Sequence, residues 1–200
     1  MKSNKYLVLM LVVALGLCFT ACGAGKKSAA TTAITAAENA YNAVKAELTQ
    51  FVPDEAKVVE DAITGAKESL NNKKFDEAIE ATKTLPDKIK ELTALAAAKK
   101  DELTKGWTEL NEGLPTLLET VKSRLDVLSS SRRLPANMDK AKLESAKSTY
   151  DAAAQMWNEA QTAFTGGKLP EAMAKAQTVK DKILEVMTVL GMQLPSALQS

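Results

Sequence analysis

The chain has 200 residues, with 26 lysines and arginines against 25 aspartates and glutamates, and it contains no histidine. Without histidine there can be no Ser-His-Asp or Cys-His nucleophile system, no His-ligated haem and none of the usual zinc sites. The balanced charge argues against a nucleic-acid binder, which would show a strongly basic face. A composition rich in alanine, leucine, lysine and glutamate favours helix, and runs typical of strands are nearly absent, so we expect an all-α protein.

The first element in the chain is a secretory signal. Lys2 and Lys5 form a short basic start, and an apolar run follows from Tyr6 to Phe19. This run is shorter than the roughly 20 residues that a membrane-spanning helix needs, so it is better interpreted as the core of a signal peptide. We therefore predict a signal peptide over residues 1–21.

The residues around the end of this signal resemble the lipobox of bacterial lipoproteins, in which a small residue precedes a cysteine. Here Ala21 precedes Cys22, and Gly23 follows it. The resemblance implies cleavage before Cys22 and acylation of that cysteine, with several acyl chains giving a stable anchor. Because residue 23 is not Asp, it also implies the outer membrane of the cell envelope, facing the periplasm. An ordinary secreted protein and an uncleaved anchor are the alternatives.

A polar stretch joins this cysteine to the rest of the chain. Residues 22–30 are predicted to be the lipidated cysteine and a flexible tether, whose eight residues after Cys22 would reach about 16 Å. Lys26 and Lys27 could touch anionic headgroups or simply solubilise the tether. Cleavage would remove Cys18, so the mature chain could form no intramolecular disulfide and packing alone would hold it.

Apolar residues spaced three and four apart predict six helices. Their approximate bounds are 31–51, 54–71, 75–111, 115–129, 138–165 and 170–190. Asn71-Asn72 and Gly166-Gly167 are expected to end helices because these residues tolerate a left-handed conformation. Gly113-Leu114-Pro115 is interpreted as a stop, and Pro86 is expected to kink the third helix without breaking it fully.

The chain also repeats itself. Residues 66–92 align without gaps on residues 160–186, and nine of these 27 positions are identical. We therefore predict one all-α domain over 31–191, a six-helix array of two duplicated three-helix units at about 31–112 and 115–191, each with a long antiparallel hairpin. Residues 192–200 are predicted to be a frayed tail.

The hairpin strings resemble the junction of a tetratricopeptide repeat, in which a small and an aromatic residue end one helix and a large apolar residue and an alanine open the next. The corresponding residues here are Ala66, Leu70, Phe75 and Ala78, and again Ala160, Phe164, Leu169 and Ala172. The resemblance implies helical-hairpin geometry. It does not extend to the peptide groove of that family, because the period is not 34 and the helices are longer.

Few residues suggest a site. Trp107 and Trp157 lie on apolar stripes and are expected in the core, although tryptophan can also anchor a partner. Arg132 and Arg133, in a polar loop, could bind a phosphate or headgroup, or could simply be solvated. The methionines are too scattered for a copper site. The sequence therefore predicts no catalytic residue, no cofactor and no metal ligand.

These observations favour a lipid-anchored, non-enzymatic scaffold or protein-binding lipoprotein of the bacterial envelope. Its predicted partners are the membrane, through the lipid on Cys22, and another envelope protein. The first alternative is a carrier of a small molecule or lipid in a cavity of the bundle. The second is an envelope hydrolase with two carboxylates facing each other in a cleft.

Overall fold

The structure is a computed structural model that describes residues 23–136 and 138–193, and the all-α prediction is confirmed. These residues form six helices and no strand. The helices are α1 (Gly23–Phe51), α2 (Pro53–Asn71), α3 (Phe75–Lys83), α4 (Leu85–Ser130), α5 (Lys140–Thr165) and α6 (Leu169–Val189). The signal peptide, Cys22 and residues 194–200 of the tail lie outside the described residues.

The chain divides into two compact units, unit 1 within Met1–Lys99 and unit 2 within Lys100–Ser200. The sequence predicts a single domain whose two repeat units meet at residues 112–115. The border between the two compact units lies inside α4, so the first part of this helix belongs to unit 1 and the remainder to unit 2.

The prediction of a flexible tether was wrong for residues 23–30, because α1 begins at Gly23. The apolar stripe of this helix continues one turn further towards its start than expected. Ala30 is fully buried and Ile34 nearly so, and both pack in the core of unit 1. Burying these side chains favours helix in a segment that also carries alanine and lysine, both good helix formers.

The prediction of a stop at Gly113-Leu114-Pro115 was also wrong, since α4 runs through Pro115 to Ser130. Proline inside a helix removes one hydrogen bond and costs about 3 kcal/mol. Burial on one face of the helix outweighs that cost, because Leu114 and Val121 are fully inaccessible and Leu118 is buried. The separate fourth helix predicted over 115–129 is therefore the second half of a longer one.

Pro86 lies at a break between two helices and not at the predicted kink within one helix. A single residue, Thr84, separates α3 from α4, and Pro86 is the second residue of α4. A proline in the first turn of a helix is tolerated because the missing N–H would have no partner there. The chain therefore begins a new helix at this point.

The α2–α3 and α5–α6 turns have the same geometry, 94 residues apart. The backbone N–H of Lys74 donates to the carbonyl of Ser69 at 2.8 Å, and that of Lys168 donates to the carbonyl of Ala163 at 2.9 Å. Each is the long hydrogen bond of a Schellman motif. The shared hydrogen-bond pattern agrees with the predicted duplication, which stays a prediction.

The left-handed residue of the first turn is Lys73, with φ 61°, and not Asn72 as the sequence suggested. Its counterpart in the second turn is Gly167, with φ 76°. A left-handed conformation costs a residue with a side chain about 1–2 kcal/mol, whereas glycine adopts it freely. Lys73 is thus an unfavourable residue for the backbone at this position.

In unit 1, alanines bring the three helices close together. Ala30 and Ile34 of α1 meet Ala66 of α2 and Ala78 of α3, and the partly buried Leu70, Phe75 and Ile79 pack against them. Further along, the hydroxyl of Tyr41 donates to the carbonyl of Ala56 at 3.2 Å. These contacts fix α1 against the α2–α3 hairpin.

In unit 2, the expectation that both tryptophans belong to the core is confirmed. Trp107 and Trp157 are 4% and 6% exposed, and their rings stack with centroids 5.6 Å apart. Phe164 stacks on Trp107 with ring centroids 4.5 Å apart but remains 41% exposed. The stack joins α4 to α5.

Candidate functional site

The sequence predicts a lipidation site at Cys22 and a candidate contact site at Arg132 and Arg133, and the structure describes only the second of these. Cys22, the predicted lipidation site, lies outside the described residues, directly before the first residue of α1. Arg132 and Arg133 are exposed and lie in the loop that joins α4 to α5.

The loop between α4 and α5 ends at a well-defined helix cap. The side chain of Asp139 accepts a hydrogen bond from the backbone N–H of Lys142 at 2.7 Å. An aspartate at this position satisfies one of the free donors of the first turn. Because α5 and α6 form an antiparallel hairpin, the start of α5 lies beside the end of α6.

A shallow groove of about 110 Å³ lies between α5 and α6 at this end of unit 2. It is lined by Lys142, Ser145, Ala146 and Thr149 of α5 and by Glu185, Val186 and Val189 of α6. Val189 is 38% exposed. Small-molecule pockets usually measure about 300–1,000 Å³, so this groove suits a side chain of a protein partner better than a ligand. We call it the Val189 groove.

A second depression, of about 570 Å³, follows the outer face of α4. Its lining residues are Pro115, Thr116, Glu119, Thr120 and Ser123, all from one helix. A depression lined by one helix is open to solvent and encloses nothing. This depression and the Val189 groove contain one carboxylate each, Glu119 and Glu185, so neither presents the facing pair that the hydrolase alternative needs.

One ion pair ties the α5–α6 hairpin together. The ammonium of Lys175 donates to Glu159 at 2.7 Å, and this hydrogen bond lowers the pKa of Glu159 and raises the pKa of Lys175. The carboxylate therefore supports the folded hairpin above the ordinary pKa of glutamate, and its contribution disappears as the pH falls through the lowered pKa. Glu159 is exposed and Lys175 is only partly buried, so the effect of the ion pair on stability is small.

Tyr150 in unit 2 also has an altered pKa. Partial burial raises the pKa of Tyr150, and the nearby carboxylates of Glu119, Asp151 and Asp126 raise it further. The phenol is therefore neutral at physiological pH and provides a hydroxyl at the edge of the α4–α5 contact.

In unit 1, the α2–α3 turn lies beside the start of α1. The ammonium of Lys26 pairs with Asp76 at 2.8 Å, and the contacts of Ala30 with the α2–α3 hairpin place the same two regions together. We call the exposed end formed by residues 25–27 and 69–77 the Lys73 surface. This juxtaposition could not be predicted from the sequence, because a periodic apolar stripe does not show which helix ends meet.

The Lys73 surface carries four lysines and two carboxylates, a net charge of +2. Lys26 pairs with Asp76, and Lys74 pairs with Glu77 at 3.1 Å. The side chains of Lys27 and Lys73 make no ion pair with the described residues of the chain. Leu70 and Phe75, partly buried, flank the turn.

Two further findings concern the described residues 23–136 and 138–193 only. No group of three or more histidine, cysteine, aspartate or glutamate side chains there is arranged to hold a metal ion. No helix in that part of the chain combines the length and the apolar character needed to cross a bilayer.

Comparison with known proteins leaves these two surfaces without a counterpart. No protein-family model matches the chain, and neither the curated proteins nor the solved structures include a significant match to it.

Proposed function

We propose that this protein is a lipoprotein of the bacterial cell envelope that binds another envelope component and catalyses no reaction. The observation that carries the proposal is the lipobox-like sequence ending at Cys22, after an apolar run that is too short to span a bilayer. The start of α1 at Gly23 is compatible with an acylated residue directly before the folded unit.

The anchoring step is tested by removing the sulfur that would carry the acyl chains. In a bacterial host fed alkyne-tagged palmitate, Cys22→Ser is expected to abolish labelling and to shift the protein from the membrane to the soluble fraction. Two or more acyl chains anchor a protein stably, whereas none leaves it free.

Cys18→Ser is the matched control, because Cys18 lies in the predicted signal peptide and is the only other cysteine. It should leave labelling and membrane association unchanged. Labelling of Cys22→Ser at the wild-type level would refute the anchor.

The binding step depends on unit 2. The Val189 groove and the loop with Arg132 and Arg133 lie at the same end of this unit, since α4 ends where α5 begins and α6 ends beside them. An exposed valine over a shallow groove, at the same end of the unit as two exposed arginines, offers the apolar centre and the arginine that are frequent in protein interfaces.

Site-specific photo-crosslinking tests the binding step in intact cells. A photoreactive amino acid at Val189 is expected to give a discrete crosslinked species, because a partner seated on the groove holds the probe in place. The same amino acid at Val58, an even more exposed valine in unit 1, serves as the matched control and should give none. Equal crosslinking at the two positions, or none at either, would contradict a partner at this groove.

A further inference from the structure

The Lys73 surface has an unusual residue at its centre. Lys73 occupies a left-handed position, whereas the equivalent position of the otherwise identical turn in unit 2 is Gly167. Residues held in such a sparsely populated backbone region persist where the surrounding structure fixes them, and they cluster at functional sites. The lysine side chain at this tip is exposed, so it is accessible to molecules outside the fold.

The two turns also differ in the charge that surrounds them, and the turn with Lys73 is the more positive one. Residues 163–171, which correspond to 69–77, contain one lysine and one glutamate and are therefore neutral. Residues 69–77 contain two lysines and two carboxylates, and Lys26 and Lys27 of α1 add two more positive charges beside them. The positive charge therefore belongs to the turn that meets the start of α1.

The location of this charge coincides with the predicted anchor. Cys22 is bonded to Gly23. Lys26 and Lys27 lie about 5–6 Å from Gly23 along the axis of α1. Electrostatic attraction to charged headgroups acts over about 8 Å at physiological ionic strength. Acyl chains on Cys22 would thus hold the Lys73 surface within reach of the headgroups.

The apolar side chains at this end are suited to the same contact. Leu70 and Phe75 are only partly buried and flank the lysine-bearing turn. Apolar side chains next to cationic ones favour the boundary between headgroups and acyl chains.

From these observations we infer that the Lys73 surface docks on an anionic lipid surface and fixes unit 1 against the membrane that holds the anchor. Lys27 and Lys73 contact the headgroups directly, and Leu70 and Phe75 face the interface beside them. The inference rests on the proposed acylation of Cys22, and it adds that the anchored unit takes a defined orientation.

The test is lysine footprinting of the mature protein purified from membranes with its anchor. The intact mass is measured first, and the protein is then reconstituted in vesicles of phosphatidylcholine alone or mixed equally with phosphatidylglycerol. An amine-reactive reagent is expected to label Lys27 and Lys73 about fivefold more slowly on the anionic vesicles. The contact of one lysine with an anionic surface is stabilised by about 1 kcal/mol, which is about a factor of five in the equilibrium between the bound and the free ammonium.

Lys90 is the internal control, because it is exposed on α4 in the same unit, and its labelling should not depend on the lipid. At about 1 M salt the protection of Lys27 and Lys73 should vanish, because the screening length falls to about 3 Å. Equal labelling of Lys27 and Lys73 on both kinds of vesicle at low salt would overturn the inference. An intact mass without acyl chains would instead refute the proposed anchor, so the two failures are distinguishable.

Lys73→Gly provides a second, independent readout. This variant removes a charge and also removes the left-handed strain, so the unfolding midpoint of unit 1 should stay the same or rise. Protection of Lys27 on anionic vesicles should nevertheless fall towards its value on phosphatidylcholine. Undiminished protection of Lys27 in a folded Lys73→Gly variant would show that Lys73 takes no part in the docking.

Discussion

Replacing Trp157 by alanine is expected to lower the free energy of unfolding of unit 2 by about 3–5 kcal/mol. The side chain is 6% exposed and stacks on Trp107, so the substitution removes a large buried apolar surface and leaves a cavity. Denaturation by urea, followed through the fluorescence of the remaining Trp107, measures the change. Both tryptophans of the chain lie in unit 2, so this signal reports on that unit alone.

Phe164→Ala is the matched control for this prediction. Phe164 stacks on the same Trp107 but keeps 41% of its surface exposed, so its removal should cost clearly less than removal of Trp157. An unchanged transition in Trp157→Ala, or a larger loss in Phe164→Ala, would show that the aromatic stack does not belong to the core.

Replacing Pro115 by alanine is expected to raise the free energy of unfolding by up to about 3 kcal/mol. Residue 115 lies in the interior of α4, where proline cannot donate the backbone hydrogen bond to residue 111 and its ring crowds the preceding turn. Alanine restores the donor and has the highest helix propensity. The change is measured by urea denaturation with far-ultraviolet circular dichroism.

Pro53→Ala is the control, since Pro53 is the first residue of α2, where no donor is needed. It should change stability little in either direction. If Pro115→Ala also left stability unchanged, the helix would end near Gly113 as the sequence analysis predicted, and the continuity of α4 would be refuted.

The sequence predicted the helices well wherever a long apolar stripe dominates. The helices predicted over 54–71, 138–165 and 170–190 lie within two residues of their observed bounds, because burial of one face fixes a helix more strongly than local propensity does. The predictions failed where a local signal opposed burial. Pro115 was interpreted as a stop because the burial of the neighbouring Leu114 depends on tertiary packing that no short sequence window contains.

The turns were predictable in position but not in detail. Gly166-Gly167 and Asn71-Asn72 both mark the correct places, and the positive φ at Gly167 follows from the residue type. Lys73 could not be identified in the same way, since nothing in its local sequence favours a left-handed lysine. The alignment of residues 66–92 with 160–186 was the available signal, because it sets Lys73 opposite Gly167.

The candidate surfaces were predictable only in part. Arg132 and Arg133 were identified from the polar loop around them, and the structure finds both exposed. The Val189 groove and the Lys73 surface could not be found from the sequence, because each joins residues far apart in the chain. Lys26 and Asp76 are 50 positions apart, and only the packing of α1 on the α2–α3 hairpin brings them together.

The start of α1 at Gly23 has a consequence for how the protein, once acylated at Cys22 as proposed, would meet other molecules. A flexible tether of eight residues would let the folded unit move within about 16 Å of its attachment point. A helix that begins next to the attachment point removes this freedom of movement, so unit 1 would stay within a thin layer above the bilayer. Encounters would then depend on sideways diffusion in the membrane plane, and inserting a few Gly-Ser pairs before Gly23 would widen the volume searched while diluting each encounter.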